Sequence, residues 1–245
     1  MSMHDVLLGW WGRLHVGEQI RNRGVRRVLV RAMRPGMRIL DAGCGRGENA
    51  RWVARRWPSV HVDAVDMDAA VTERLQRRCG GDAHAAAVMV MTQDIAEIPT
   101  DARYGIVYTV DVLEHVPNPA VVLQRFASVL LPGGWCIIHV PALPQRRWMR
   151  RFASYAQEDH VREGFVPHDL TALLHAAGFV AVETRMTFGP LGSLAWELFQ
   201  TFQAIARPLV IVMYPFLWVL MMLDGGISWS RGNGVLVIAR KPSSL

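Results

Sequence analysis

The chain has 245 residues, 51% of them hydrophobic, with a formal net charge of +6 and three cysteines. That length and apolar content support one substantial core, favouring a single α/β domain with insertions over two independent domains. No internal repeat marks a solenoid or propeller, and Cys44, Cys79 and Cys136 are too scattered for a disulfide framework or a zinc site, so reduced core thiols are expected. Met1 to Trp11 lacks the basic stretch that precedes the apolar core of a secretion signal. Arginines cluster at 21–34, 51–56 and 146–151, a surface suited to cofactor carboxylate, anionic headgroups or nucleic-acid phosphates, or a plain solvated basic face.

Residues 36–43 form a short apolar strand running into glycines, and Glu48 to Trp57 carries helical spacing up to Pro58. Val60 to Asp66 alternates and ends on an acid, and a helix follows over Ala69 to Cys79. Further strands are predicted at 87–92 and 106–110, then a helix at 120–131, a Pro132-Gly133-Gly134 turn and a strand at 135–140. A late helix at 171–177 ends at Gly178, with strands at 179–186 and 234–239. Strands alternating with helices of this length imply a doubly wound, mostly parallel, seven-stranded sheet of Rossmann-like kind, with ligands outside the carboxyl ends of the strands. The chain is read as one domain, 1–245. It carries an N-terminal helical lid (1–35), a basic and aromatic substrate-side insertion (141–167) and an apolar helical insertion (189–233).

Asp41-Ala42-Gly43-Cys44-Gly45-Arg46-Gly47 joins a strand to a helix. Glycines there let the backbone turn tightly and a ligand approach it, while the helix start offers free N–H groups to an anion. Asp66 ends the next strand, where a carboxylate can accept from both ribose hydroxyls. The pattern is DxGxGxG, and no glycine stands where the last one of the dinucleotide fingerprint belongs.

These residues resemble the class I methyltransferases that use S-adenosylmethionine (SAM) and release S-adenosylhomocysteine. Ile39 to Gly47 is similar to their first motif, Val65-Asp66-Met67-Asp68 to their second-strand acid, and Gln93-Asp94-Ile95 to their adenine-contacting segment. Val112-Leu113-Glu114-His115-Val116 and Leu131-Pro132-Gly133-Gly134 resemble the small-molecule group that includes ubiquinone-biosynthesis O-methyltransferases. Tyr104-Gly105 departs from the family, which has an acid after the aromatic residue. The resemblance implies that Asp41, Gly43, Gly45 and Gly47 surround the methionine end. It puts Asp66 on the ribose with Met67 beside it, Asp94 and Ile95 at the adenine, and Val110, Asp111 and Val112 against the amino-acid portion.

A sulfonium methyl is already activated, so the protein needs to align a nucleophile and, for a hydroxyl, take its proton. His115, His139 and His160 are the candidate bases. Asp111, Glu114 and His115 stand at i, i+3 and i+4, a spacing that would put them on one side of a helical turn facing a divalent ion, although no metal is required by the resemblance. The run Leu209 to Leu223 is uncharged but shorter than a membrane span and interrupted by Pro215; with Trp10, Trp11, Trp196, Trp218 and Trp229 it suggests a lipid surface, a greasy substrate wall or ordinary core. The expectation is a cytoplasmic enzyme, peripheral on the inner face of the membrane if that run meets lipid. It would methylate a hydroxyl of a hydrophobic acceptor such as a quinone or phenol, a polyketide or a lipid-linked molecule. An RNA methyltransferase is the alternative enzyme, disfavoured by the lack of an Asn/Asp-Pro-Pro-aromatic tetrapeptide. A SAM-binding or lipid-surface protein without catalysis is the third reading.

Overall fold

The computed structural model describes residues 15–152 and 161–243. Helix α1 (Val16–Ala32) precedes the first β-α-β units: β1 (Arg38–Ala42), α2 (Glu48–Arg56), β2 (His61–Asp66), α3 (Ala69–Gly80) and β3 (Val88–Thr92). Then come β4 (Tyr104–Val110), α4 (Pro119–Val129), β5 (Leu130–Pro141), α5 (Pro167–Ala176) and β6 (Val180–Thr187). A helical hairpin, α6 (Pro190–Ile205) and α7 (Arg207–Asp224), leads to β7 (Gly234–Arg240). The seven strands lie in the order β3-β2-β1-β4-β5-β7-β6, with only β7 antiparallel to its neighbours.

The predicted doubly wound sheet is therefore present, and its strands read as continuous apolar runs because both faces are covered. One face packs Leu40, Val107 and Ile138 against α4 and α5 through Phe126, Leu170 and Leu174. The other packs Ile39, Tyr108, Ile137 and Ile238 against α1 and α2 through Val25, Leu29 and Val53. A third, smaller core joins Val16 of α1 to Ala195 and Phe199 of α6 and to Val210, Leu217, Leu220 and Met221 of α7.

Two local expectations change. Leu130 already pairs with Tyr104, so α4 ends at Val129 and the Pro-Gly-Gly turn is absorbed into β5, where Gly133 takes φ +71°. Pro215 does not interrupt the apolar run: α7 is one helix of 18 residues. A helix-interior proline costs about 3 kcal/mol through its lost N–H bond and ring clash; burial of Val210, Leu217, Leu220 and Met221 against α6 and α1 offsets it. At Tyr104-Gly105, where the family places an acid, the bare glycine backbone receives Met37, and the Tyr104 hydroxyl donates to Asp63 at 2.7 Å.

Candidate active site

The carboxyl ends of β1, β2 and β4 meet at one edge. Gly43, Gly45 and Gly47 all have positive φ, at +77°, +49° and +68°, but for different reasons. A Cβ on Gly43 would lie 2.3 Å from Val112 Cγ2, and one on Gly47 2.3 Å from Leu75, so these two let the loop pack on its own protein. A Cβ on Gly45 would meet nothing within 4 Å, so the crevice is open there for a ligand to approach the main chain. Helix α2 starts without a side-chain cap, which leaves amides of its first turn to an anion, while that of Ala50 meets Asp41.

Two carboxylates frame this loop. Asp66 accepts from the Gly45 amide (2.9 Å) and the Asp68 amide (3.1 Å), which fixes it at the crevice with lone pairs to spare. Asp41 is buried, its Oδ2 has no hydrogen-bond partner, and burial with the nearby charge of Asp66 raises its pKa to about 7. An orphaned buried carboxylate oxygen is costly and suits a cationic or N–H-bearing ligand group. Met67 projects into solvent at 77% exposure, and Ile95 is buried beneath the exposed Asp94, whose Oδ1 caps the short turn Ile95–Glu97 through the Ala96 amide. Asp68 caps α3 through the Ala70 and Val71 amides. These residues fit SAM: a second-strand acid able to accept from ribose hydroxyls, an open glycine, a buried acid with one oxygen unbonded, an uncapped helix start and an exposed thioether side chain lie along one edge.

Further along the edge, a polar chain crosses the strand ends. Asp111 adopts φ +52°, an unfavourable backbone for a side chain, and directs its carboxylate inward. Its Oδ2 accepts from Arg21 of α1 at 2.5 Å and its Oδ1 bonds His139 Nδ1 at 2.7 Å, while His139 Nε2 meets Thr187 Oγ1 at 2.9 Å. Burial would raise the Asp111 pKa, but Arg21 and His139 hold it below the usual carboxylate value. An ionised Asp111 can only accept, so Nδ1 carries a proton, and in the neutral imidazole Nε2 is then the acceptor for the Thr187 hydroxyl. Phe188, also at positive φ (+51°), lies 6.2 Å ring to ring from His139. Its side chain lines a cavity of about 840 Å³ with Trp148, Trp229, Arg146, Arg147 and Arg231.

The three predicted histidines separate. His139 is buried within this chain, His115 is exposed at the far side of its turn, and His160 lies outside the described residues. The spacing of Asp111, Glu114 and His115 does not bring them together. The turn is a three-residue 3-10 helix over Leu113–His115, and Asp111 stands outside it with a left-handed backbone and both oxygens engaged. Among the described residues no group of three such side chains could hold a metal. Glu114 is instead fully buried with neither carboxylate oxygen bonded, and burial, reinforced by the charge of Asp111, pushes its pKa up to about 8.

Sequence reasoning missed Arg21, Thr187 and Phe188, which carry no motif and reach the site from 90 and 48 residues away along the chain. Some of the arginines it assigned to a basic face serve the fold, Arg51 and Arg55 pairing with Asp82 and Arg26 stacking on Trp52; outside those clusters Arg38 pairs with Asp63 and Arg240 stacks on Trp135.

A doubly wound sheet whose glycine loop, second-strand acid and fourth-strand end converge on one open edge defines an α/β domain for a nucleoside cofactor. Residues 16–184 match the family described as methyltransferase domain. A 37.1 kDa protein of a Streptomyces fradiae transposon is 30% identical over 168 residues, 64% of this chain and 48% of that one. The ubiquinone biosynthesis O-methyltransferase of Aeromonas salmonicida is 27% identical over 168 residues, 64% of this chain and 69% of its own. The structure of Haemonchus contortus phosphoethanolamine N-methyltransferase 2 with SAM superposes with a TM-score of 0.63 at 19% identity, covering 86% of this chain and 50% of that one. The chain belongs to the methyltransferase domain family, of the class I, SAM-dependent kind. It spans about half the length of the Streptomyces relative.

Proposed function

We propose that the chain transfers a methyl group from SAM to a hydroxyl of a hydrophobic small molecule, of quinone or phenol, polyketide or lipid-linked type. The observation that carries the reading is the Arg21–Asp111–His139–Thr187 chain across the strand ends, with Phe188, next in sequence to Thr187, lining the aromatic cavity at Trp148 and Trp229. The likeness to an O-methyltransferase of ubiquinone biosynthesis supports it.

In this reading Asp66 accepts from the ribose hydroxyls, Asp41 and the first amides of α2 take the ammonium and carboxylate of the methionine end, and Met67, Asp94 and Ile95 border the adenine. Val110 to Val112 wall the amino-acid portion. Bound there, SAM supplies an electrophilic methyl, and alignment and proton removal fall to the chain. His139 Nε2, made the basic nitrogen by Asp111, draws the Thr187 hydroxyl proton, and that hydroxyl in turn accepts the proton of the acceptor. Arg146, Arg147 and Arg231 at the cavity suit an acidic substituent on an otherwise apolar molecule.

Two measurements test this. Asp66→Ala should weaken calorimetric binding of S-adenosylhomocysteine by about 1 to 3 kcal/mol by stranding two ribose hydroxyls, and unchanged affinity in the folded variant refutes the ribose role. Across a panel of phenolic, quinol and lipid-linked acceptors with labelled SAM, Thr187→Val should abolish transfer while leaving S-adenosylhomocysteine affinity intact. Full transfer by that variant removes the proton path.

A further inference from the structure

Helix α7 contains no charged residue from Pro208 to Leu223; of its polar side-chain groups there, the Tyr214 hydroxyl is engaged by Gln19, and Trp218 is half exposed. A helix that is apolar all round belongs in a core or in lipid. This one is buried on a single side. Val210, Leu217, Leu220 and Met221 fill the hairpin core, whereas Ile211, Val212, Phe216, Trp218, Val219 and Leu223 form an opposite arc, each between 45% and 74% exposed. The exposed positions recur at helical spacing, so they make one continuous stripe along the helix.

We propose that this outer arc of α7 is a docking surface for an anionic lipid bilayer, on which the helix lies parallel to the membrane. Two observations select lipid over a protein partner. The arc pairs large aliphatic residues with Phe216 and Trp218, the residue types that seat at the boundary between headgroups and acyl chains, and it holds no charged side chain. Where the arc ends, at the exposed Leu223 and Ile227, three arginines spaced one turn apart on α1 line the adjoining cavity. Arg23 and Arg27 donate to the Met221 and Gly225 carbonyls, which holds their positive charge at that end, and Arg27 and Arg31 remain exposed to meet phosphates. No helix among the described residues is long and apolar enough to cross a membrane, so α7 lies on the surface. The same helix end touches the acceptor-side cavity, because Asp224 accepts from the Gly189 amide and its carbonyl from Trp229 Nε1.

The full chain should co-sediment with phosphatidylcholine vesicles containing phosphatidylglycerol and far less with phosphatidylcholine alone, with only partial release by salt, because apolar burial survives screening. Val212→Ser combined with Val219→Ser, both on the outer arc, should lower vesicle partitioning by at least about tenfold while S-adenosylhomocysteine affinity stays unchanged. Arg27→Glu with Arg31→Glu should remove the preference for anionic vesicles. Against loss of fold in the serine variant, Trp218→Phe keeps the apolar volume, and quenching of tryptophan emission by brominated lipid should drop in it. Absence of binding to any vesicle, equal binding by the serine variant in its folded form, quenching unchanged in Trp218→Phe, or a concentration-dependent dimer that the serine variant dissolves would each overturn the proposal, the last by identifying a second copy as the occupant.

Discussion

Glu114 offers a direct test of how the crevice is charged. Its carboxyl is fully buried and unbonded, and its pKa stands at about 8 against 4.5 for the free side chain, owing to burial first and the negative Asp111 second. Between pH 4.5 and about 8 the folded chain keeps this proton while the unfolded chain releases it. The folded state therefore binds the extra proton, and this group's contribution to stability falls as pH rises through that window, by about 1.4 kcal/mol per pH unit. Glu114→Gln is neutral in both states and removes the dependence. Its buried amide still lacks partners, but a neutral group costs much less to bury than a carboxylate. In urea unfolding without cofactor, the variant should match or slightly trail the wild type at pH 5 and exceed it at pH 9, a relative gain on the order of 4 kcal/mol. Comparing the two proteins at each pH cancels Asp41, whose own raised pKa gives the wild type a further decline. A stability difference independent of pH would show that Glu114 is ionised in the folded chain and that the charge layout described here is wrong.

The last two glycines of the loop should separate in effect. Gly47→Ala drives a methyl into Leu75 at left-handed φ and should cost about 1 to 3 kcal/mol of stability, whereas Gly45→Ala, with open space beside it, should cost about 1 kcal/mol in a thermal melt yet lose most S-adenosylhomocysteine affinity in titration. Exhaustive chelation should leave methyl transfer unchanged, since both Asp111 oxygens are taken by Arg21 and His139; activity lost in chelator and restored by magnesium would contradict the arrangement. Arg21→Ala should raise the Asp111 pKa, read by carbon-detected NMR titration of the aspartate carboxyls, and an unmoved Asp111 would mean that the α1 contact is not made in solution.

What the sequence disclosed is what short-range physics writes into it. Ile39 to Gly47 and Val60 to Asp66 are strand, turn and acid within a few residues, and their hydrogen bonds close locally or between adjacent parallel strands, so periodicity and glycine spacing suffice to find them. The same locality explains the error at Asp111, Glu114 and His115. An i, i+3, i+4 spacing presupposes a helical backbone, and the left-handed φ of Asp111 cancels it; that φ is stabilised by contacts with residues 21 and 139, which no local pattern reports. Pro215 failed as a helix terminator for a related reason, because tertiary burial of the inner side of α7 outweighed a local penalty.

The illegible part of the site has a common physical form. Among the described residues, Asp111 and Phe188 are the two non-glycine residues with positive φ, and they stand on either side of His139 at the same strand edge. Each such backbone costs on the order of 1 to 3 kcal/mol and persists only where surrounding contacts over-determine it. For Asp111 those contacts are two charged hydrogen bonds; for Phe188 they include the Ser193 hydroxyl and the Asn233 amide, both donating to its carbonyl. Strain concentrated on both flanks of one buried histidine, beside an unbonded carboxyl at Glu114 and an orphaned oxygen at Asp41, is more than a stable fold requires. A chain selected for stability alone would relax these groups, and the proposed site accounts for their coincidence at the open edge of the sheet, where a bound ligand would supply the missing partner of Asp41.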